Sequence, residues 1–293
     1  MTTQLHVAYS SVFMGAGIIS GAPYWCAQSD VAVALTSCMK YPDLINTPML
    51  VGAVNYAFAT SSIDNPLYLR NSKVYIFHGT NDNELVLGVS EKLSDFYSHF
   101  VPAPQVRMNL SIPASHAFVT KNYGNPCDFF GEPYMNNCDF DTAGHVLQWI
   151  YSGSLVAPTK SVNLSNLVSI DQSAFVPFPW SVSEISMAKL GYVYIPTACH
   201  NTDAACKLHV ALHGCLQNID SIGFDFISHS GYNEWAEANN IIIIYPQTIA
   251  SPTVPYNPKA CWDWWGYTGP EYASQYAPQM QVIRGMMKVF SQA

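Results

Sequence analysis

The chain has 293 residues, of which 49% are hydrophobic, 13% aromatic and only 11% charged, and its formal net charge is −8. This composition is typical of a globular protein, and an acidic chain without basic runs excludes nucleic acid as a partner. No apolar stretch approaches the roughly 18 residues that a membrane span needs, so no membrane is expected as a partner either.

Strands that alternate with helices are predicted in chain order. The predicted strands are 15–20, 73–77, 106–112, 191–195, 208–212 and 241–245, and the predicted helices are 87–100, 142–151, 231–239 and 279–290. Several strands are apolar throughout, which is typical of a mostly parallel α/β sheet covered by helices on both faces. The stretch from about 152 to 187 has no clear period and is predicted to be an irregular connection inside a single domain, 1–293.

The eight cysteines are even in number and contain no Cys-x-x-Cys pair, which disfavours a zinc or thioredoxin-like site. Buried free thiols are the alternative to disulfides, and disulfides would indicate a secreted or periplasmic protein. The segment after Met1 has no signal-peptide features, so we expect the true N-terminus to lie upstream. The spacing suggests three local disulfides and one long one, Cys26–Cys38, Cys127–Cys138, Cys199–Cys206 and Cys215–Cys261.

Two residues at consecutive strand ends are candidates for an acid and a base. Asp82 ends a turn directly after strand 73–77, and His116 lies four residues beyond the next strand. A carboxylate that holds an imidazole in one tautomer is what a Ser-His-Asp triad needs. Alternatively, Asp82 caps its own turn and His116 is structural. Glu84 and Asp95 are rival acids outside the strand-end turn.

Two His-Gly turns compete for the role of oxyanion donor, and a nucleophile is not evident. His213-Gly214-Cys215 ends an apolar run and precedes a helix, so we assign the donor to the backbone N–H of Cys215 rather than to the turn at His78-Gly79. The alternative is a tight turn fixed by a disulfide. No Gly-x-Ser-x-Gly motif occurs, and Ser20 and Ser230 only imitate it.

Eight segments carry a resemblance to known proteins, namely 4–10, 21–27, 78–82, 115–118, 212–217, 231–236, 245–247 and 257–266. Together they resemble the extracellular poly(3-hydroxybutyrate) depolymerases in the circularly permuted subgroup of the α/β-hydrolase fold. The resemblance covers nearly the whole chain, and its Trp-Asp-Trp-Trp and His-Gly-Cys-Leu-Gln motifs are specific.

The resemblance implies a serine esterase that cleaves a water-insoluble polyester to short hydroxybutyrate units, with Asp82 as triad acid, His116 as base and Cys215 N–H as oxyanion donor. It places the serine about five residues before Met1, in an elbow that follows a central strand. We therefore expect the chain to be truncated at its N-terminus, to lack that strand and to be inactive. A start-site error in a longer gene is one explanation.

The aromatic residues near Cys261 are candidates for contacts with an apolar polymer, although the alternative is that most of them belong to the core. The chosen residues are Trp262, Trp264, Trp265 and Tyr272. Scattered histidines and the absence of a phosphate-binding loop predict neither metal nor cofactor. We expect a monomer. A feruloyl or acetyl esterase of the same superfamily, and a non-catalytic polymer-binding protein, remain alternatives.

Overall fold

The computed structural model describes residues 1–159, 162–200 and 205–291. The α-helices are α1 Thr2–Ala8, α2 Val31–Leu35, α3 Thr47–Ala59, α4 Leu87–Ser98, α5 Thr142–Ile150, α6 Ile219–Ile222, α7 Asp225–His229, α8 Tyr232–Asn239 and α9 Pro278–Phe290. The strands are β1 Gly15–Ile19, β2 Lys73–Phe77, β3 Val106–Asn109, β4 Phe118–Thr120, β5 Asn125–Pro126, β6 Met135–Asn137, β7 Leu167–Asp171, β8 Leu190–Tyr194, β9 Lys207–Val210 and β10 Ile241–Tyr245.

The strands of the described ranges form three sheets, in the orders β1-β2-β3, β7-β8-β10-β9 and β4-β6-β5. All pairs in the first and third sheets are parallel, as is the pair β9–β10. β8 pairs antiparallel with its two neighbours, β7 and β10. This arrangement agrees with the predicted α/β class and its mostly parallel strands.

Helices cover both faces of the first sheet. Side chains alternate along a strand, so Val74 and Ile76 of β2 point to the face that α1 and α4 cover, and Tyr75 and Phe77 point to the face under α5. The register places Gly17 opposite Tyr75, on the α5 face. A Cβ atom on Gly17 would overlap the side chain of Val146.

The second sheet is also covered on both faces, and its core is continuous with the first. β10 is fully buried, as a run of four isoleucines predicts. Ile242 and Ile244 pack in the same apolar cluster as Ile76, while Ile241 and Ile243 pack against α8. Leu5 near the start and Met287 near the end belong to that shared cluster. Residues near both ends of the described chain therefore pack in one core.

The structure corrects the prediction of an irregular connection at 152–187. Residues 160–161 lie outside the described residues, but β7 lies in this stretch and pairs with β8. The sequence pattern missed β7 because its side chains are mostly exposed, and backbone hydrogen bonds to β8 stabilise it. The observed strand β3 ends at Asn109 and is shorter than the predicted strand 106–112. After Asn109 the chain bonds instead to the turn that follows β2.

Four disulfides are present, Cys26–Cys38, Cys127–Cys138, Cys199–Cys206 and Cys215–Cys261, and they agree with the pairs that spacing suggested. Each of the first three closes a loop of at most 12 residues, whereas the fourth joins positions 46 residues apart. In the described part of the chain, no helix is both long enough and apolar enough to cross a bilayer.

The contact between Gly17 and α5 predicts a cost for any side chain at this position. We expect Gly17→Ala to lower the free energy of unfolding by about 1–3 kcal/mol, because an added methyl overpacks against Val146. Val146→Ala in the same chain should recover part of the loss, giving a non-additive double-mutant cycle in urea unfolding.

Gly52→Ala is the matched control. Gly52 is exposed on α3 and a Cβ there meets nothing within 4 Å. The control should leave stability unchanged or raise it by up to about 1 kcal/mol. Equal stabilities of Gly17→Ala and the native chain would show that the packing of β1 on α5 is looser than described.

Candidate active site

The loops that follow β2 and β3 are hydrogen-bonded to each other along the carboxyl edge of the first sheet. Three N–H groups of the turn after β2 donate to carbonyls at and after the end of β3, from His78 to Asn109 at 3.1 Å, Thr80 to Ile112 at 2.9 Å and Asn81 to Ala114 at 3.1 Å. Gly79 is needed between them, since a Cβ atom there would collide with the Ala114 carbonyl. This ladder sets the two loops side by side.

Asp82 and His116 meet at the end of this ladder, as the sequence predicted for consecutive strand ends. Nδ1 of His116 lies 2.8 Å from Oδ2 of Asp82. The carboxylate side chain is 0% exposed and the imidazole 37% exposed. The carboxylate is therefore shielded from water, while the imidazole is accessible from solvent.

The Asp82 carboxylate accepts four hydrogen bonds. Oδ1 accepts from the N–H groups of Glu84 and Leu85, both at 2.9 Å, and Oδ2 accepts from Ser20 Oγ and His116 Nδ1, both at 2.8 Å. Burial alone would raise the pKa of Asp82, but the hydrogen bond and charge of His116, with the donors Leu85 and Ser20, lower that pKa below its usual range. Asp82 is thus held as the anion.

A buried side-chain amide holds the loop that carries His116 through several hydrogen bonds. Nδ2 of Asn136, on β6, donates to the carbonyls of Cys127 at 2.9 Å and Phe129 at 2.7 Å and to Ser115 Oγ at 3.1 Å. The hydroxyl of Ser115 also donates to the Phe129 carbonyl. The sequence analysis missed Asn136, because no motif around position 136 indicates that its amide bonds to Ser115, 21 residues away.

The turn at Cys215 holds a free backbone donor. The Gly214 N–H donates to the side chain of Gln217 at 2.8 Å, and the Leu216 N–H donates to Lys259 O at 2.8 Å. Within the described residues, no acceptor pairs with the Cys215 N–H, and Cys215 is exposed. The disulfide to Cys261 anchors the turn. A fixed, unpaired N–H of this kind suits a developing oxyanion.

Side-chain contacts connect this turn to the His116 loop. Nε2 of Gln217 donates to the carbonyl of Tyr134 at 2.8 Å. The ring of Tyr134 packs on Phe130, whose ring lies edge-on to His116 with centroids 6.4 Å apart. Gln217 therefore fixes the turn internally and ties it to the wall of the candidate site, a role that its place in the sequence alone did not reveal.

The chain is similar to two named depolymerases over nearly its whole length. A poly(3-hydroxybutyrate) depolymerase of Delftia acidovorans is 40% identical over 289 residues, which are 98% of this chain but only 56% of that protein. A polyhydroxybutyrate depolymerase of Talaromyces funiculosus is 37% identical over 302 residues, which are 98% of this chain and 85% of that protein. The chain belongs to the poly(3-hydroxybutyrate) depolymerase family.

Solved structures of the family have the same fold. A PHB depolymerase from Penicillium funiculosum matches with a TM-score of 0.88 at 35% identity, over 97% of this chain and 90% of that chain. A serine-to-alanine variant of a PHB depolymerase complexed with an R3HB trimer matches with the same values. Scanning protein-family models finds none that matches. The predicted family and the α/β fold class are confirmed.

The rival acids Asp95 and Glu84 and the rival His78-Gly79 turn do not replace the candidates chosen from the sequence. Asp95 is exposed on α4, and Glu84 lies 3.9 Å from Lys40 rather than from His116. His78 is buried and bonds to a serine hydroxyl on α4 at 3.1 Å. Burial lowers the pKa of His78 below its usual range, although the charge of Asp82 opposes this. The turn that begins at His78 also contains Asp82.

The two serines considered as nucleophiles are not placed to donate to His116. Ser20 bonds to the Asp82 carboxylate, on the acid side of the imidazole, and Ser230 is buried at the end of α7. Across the described ranges, no hydroxyl or thiol lies within hydrogen-bond distance of His116 Nε2. The same ranges contain no group of three metal-ligating side chains.

The four aromatic residues chosen as substrate contacts divide between core and surface. Trp262 is 5% exposed and donates to the carbonyl of His213 at 3.0 Å, and Tyr272 is 1% exposed. Trp264 and Trp265 are half-buried and contact each other edge-on, with centroids 5.5 Å apart. Trp262 therefore supports the turn at His213 from inside, and Trp264 and Trp265 retain accessible surface.

The lowered pKa of Asp82 predicts a specific acid sensitivity. A folded-state pKa below the unfolded-state value adds stability above the unfolded value, near 3.8, and this stability is lost as the pH falls through the folded value. We expect Asp82→Asn to cost about 1–3 kcal/mol of unfolding free energy at pH 7. Its unfolding free energy should also depend less on pH in the acid range than that of the native chain.

Urea unfolding between pH 2 and pH 7 measures both effects. Asp95→Asn is the control, because Asp95 is exposed and its substitution should change stability by less than about 0.5 kcal/mol. Parallel pH curves for Asp82→Asn and the native chain would contradict the assignment of a desolvated, stabilised anion to this position.

Proposed function

We propose that this protein is a serine esterase that hydrolyses poly(3-hydroxybutyrate) to short hydroxybutyrate oligomers. The observation that carries the proposal is the 2.8 Å bond between the shielded Asp82 carboxylate and the accessible His116 imidazole. The names of the relatives support the ester substrate. The chain spans 56% of the Delftia relative's length, so the activity of that longer protein is transferred here only as a proposal.

The acid and base have separate tasks in this mechanism. Asp82 accepts a hydrogen bond from the Nδ1–H of His116, which leaves the lone pair on Nε2 free to take the proton of an attacking hydroxyl. The imidazolium that forms is stabilised by the Asp82 charge and then donates its proton to the alcohol oxygen of the cleaved ester. Water attacks the acyl-enzyme in the second half-reaction by the same route.

The Cys215 N–H would stabilise the negative charge on the substrate carbonyl oxygen. It is unpaired among the described residues and is fixed by the disulfide to Cys261 and by Gln217. Loss of one such donor typically lowers kcat by about 100–1,000-fold. Because the donor is a backbone group, its position depends on the turn rather than on the side chain at position 215.

The nucleophile in this proposal is a serine outside the 293 residues. The sequence contains no Gly-x-Ser-x-Gly motif, and neither Ser20 nor Ser230 lies at Nε2 of His116. The family resemblance places the serine in an elbow immediately before α1, after a strand that would join the two larger sheets. The order of acid, base and oxyanion turn along the chain would then reflect a circular permutation of a single domain.

The proposed polymer contacts are apolar rings close to the base or to the oxyanion turn. Phe130 is 50% exposed beside His116, and Trp264 and Trp265 follow the disulfide partner of Cys215. An uncharged polyester gains from contact with such surfaces. Four disulfides support a secreted or periplasmic location, where the polymer is accessible to a monomeric enzyme.

A reconstitution experiment tests the proposed triad. We expect residues 1–293 alone to show no turnover of poly(3-hydroxybutyrate) film or of an aryl butyrate, because no serine of the described residues bonds to Nε2 of His116. Fusion of the Talaromyces relative's nucleophile strand and elbow before Met1 should restore turnover. The matched control is the same fusion with the elbow serine changed to alanine, and His116→Ala in the active fusion should lower kcat by at least about 1,000-fold.

Two outcomes would contradict the proposal. Turnover by residues 1–293 that disappears in Ser20→Ala or Ser230→Ala would place the nucleophile inside the chain. A folded fusion that cleaves feruloylated or acetylated sugars faster than the polyester would move the substrate class to polysaccharide esters.

A further inference from the structure

Ser20 is held at a particular point of the first sheet by its backbone. Its N–H donates to the carbonyl of Phe77 at 2.9 Å, which continues the β1–β2 ladder by one residue beyond the end of β1. Phe77 is the last residue of the strand that leads into the Asp82 turn. The Ser20 hydroxyl and the Asp82 carboxylate therefore start from adjacent strand ends.

The side chain of Ser20 uses this position to bond the acid. Its Oγ donates to Oδ2 of Asp82 at 2.8 Å, the same oxygen that accepts from Nδ1 of His116 at 2.8 Å. The backbone φ of Ser20 is +46°, in the left-handed region that favours glycine and costs other residues about 1 kcal/mol or more. A serine at this position therefore costs backbone strain that a glycine would avoid, but it supplies a hydrogen-bond donor to the Asp82 carboxylate.

We infer that Ser20 is a positioning residue for the triad acid, whose hydroxyl fixes the orientation of Oδ2 and thereby aims the carboxylate at His116. This inference rests on the proposed esterase mechanism, in which Asp82 orients the base. Two backbone N–H groups fix Oδ1, so Oδ2 without Ser20 keeps His116 as its only partner among the described residues. The carboxylate then rotates more freely about its Cβ–Cγ bond, and the imidazole follows it.

The groups that surround Asp82 make the effect of this hydroxyl measurable. His116 and His78 are the titratable groups whose charges act on Asp82, one from the loop after β3 and one from its own turn. Glu84 and Lys40 pair with each other 3.9 Å apart at the exposed side. Ser20 itself is neutral, so its substitution removes a donor without changing the local net charge.

The test measures the titration of Asp82 in residues 1–293 by NMR of a sample labelled with carbon-13 at the aspartate carboxyl groups. Both Ser20→Ala and Ser20→Gly should raise the pKa of Asp82 by about one unit, since a hydrogen bond to the anion is lost. Ser20→Gly should also melt at a higher temperature than Ser20→Ala, because glycine relieves the backbone strain at φ +46°. If the two variants shift the Asp82 pKa equally but differ in melting temperature, the pKa shift comes from loss of the hydroxyl and not from a change in stability.

Ser10→Ala is the matched control. The Ser10 hydroxyl also donates a single bond, at 3.0 Å, but to the backbone carbonyl of Asn65, and Ser10 is buried whereas Ser20 is partly buried. The control should leave the Asp82 titration unchanged. An unchanged Asp82 pKa in both Ser20 variants would overturn the inference, as would a shift in Ser20→Ala that Ser20→Gly does not share.

A catalytic measurement distinguishes failure of this inference from failure of the proposed function. In the serine-containing fusion, Ser20→Ala should lower kcat about 10-fold and move the acid limb of the kcat profile to higher pH. Titration shifts in a fusion without turnover would support the positioning role and contradict the esterase proposal. An active fusion whose kcat and pH profile are insensitive to Ser20→Ala would contradict the positioning role alone.

Discussion

The candidate site depends on the backbone ladder between the two loops at the carboxyl ends of β2 and β3. Three N–H groups from 78–81 bond to carbonyls from 109–114, and only a glycine at position 79 allows this approach. The ladder sets the turn that carries Asp82 beside the segment that leads to His116. With it, their side chains meet at 2.8 Å and the acid is removed from water. The contact between Asp82 and His116 thus follows from the pairing of two parallel strands.

The turn at Cys215, the proposed oxyanion donor, follows β9 of the second sheet and is held in a different way. Its backbone is constrained by a long-range disulfide, by the Gln217 side chain and by Trp262, which donates to the carbonyl of His213. Burial lowers the pKa of His213 to about 4, so this histidine is a neutral structural group. Gln217 then links the turn to Tyr134 in the loop that borders His116. The Gln217 amide therefore connects the turn after β9 to the segment directly before β6.

Much of this arrangement could be predicted from the sequence, where local patterns were decisive. The four isoleucines of β10 and the apolar run 73–77 are buried strands, as their composition predicted. The rule that strand ends carry chemistry selected Asp82 and His116. Helix α3 was missed, because Met49 and Tyr56 are exposed while Leu50 and Val54 are buried, which leaves no clear apolar stripe.

Long-range contacts account for the remaining differences. Ser20 was considered only as a nucleophile, since its bond to Asp82 spans 62 residues and depends on the register of β1 with β2. Trp262 and Tyr272 are buried, although their neighbours Trp264 and Trp265 are partly accessible, and an aromatic cluster alone does not indicate which ring faces inward. These roles emerge only when distant segments pack together.

A crystal structure of the serine-containing fusion after reaction with an alkyl phosphonate tests the central claim most directly. The claim is that His116, oriented by Asp82, and the Cys215 N–H converge on one reacting group. The account predicts a phosphonate on the elbow serine, with one oxygen accepting from the Cys215 N–H and His116 Nε2 within about 3.2 Å of a phosphonate oxygen. A phosphonate bound with the Cys215 N–H pointing away, or with the Asp82–His116 bond broken, would contradict it.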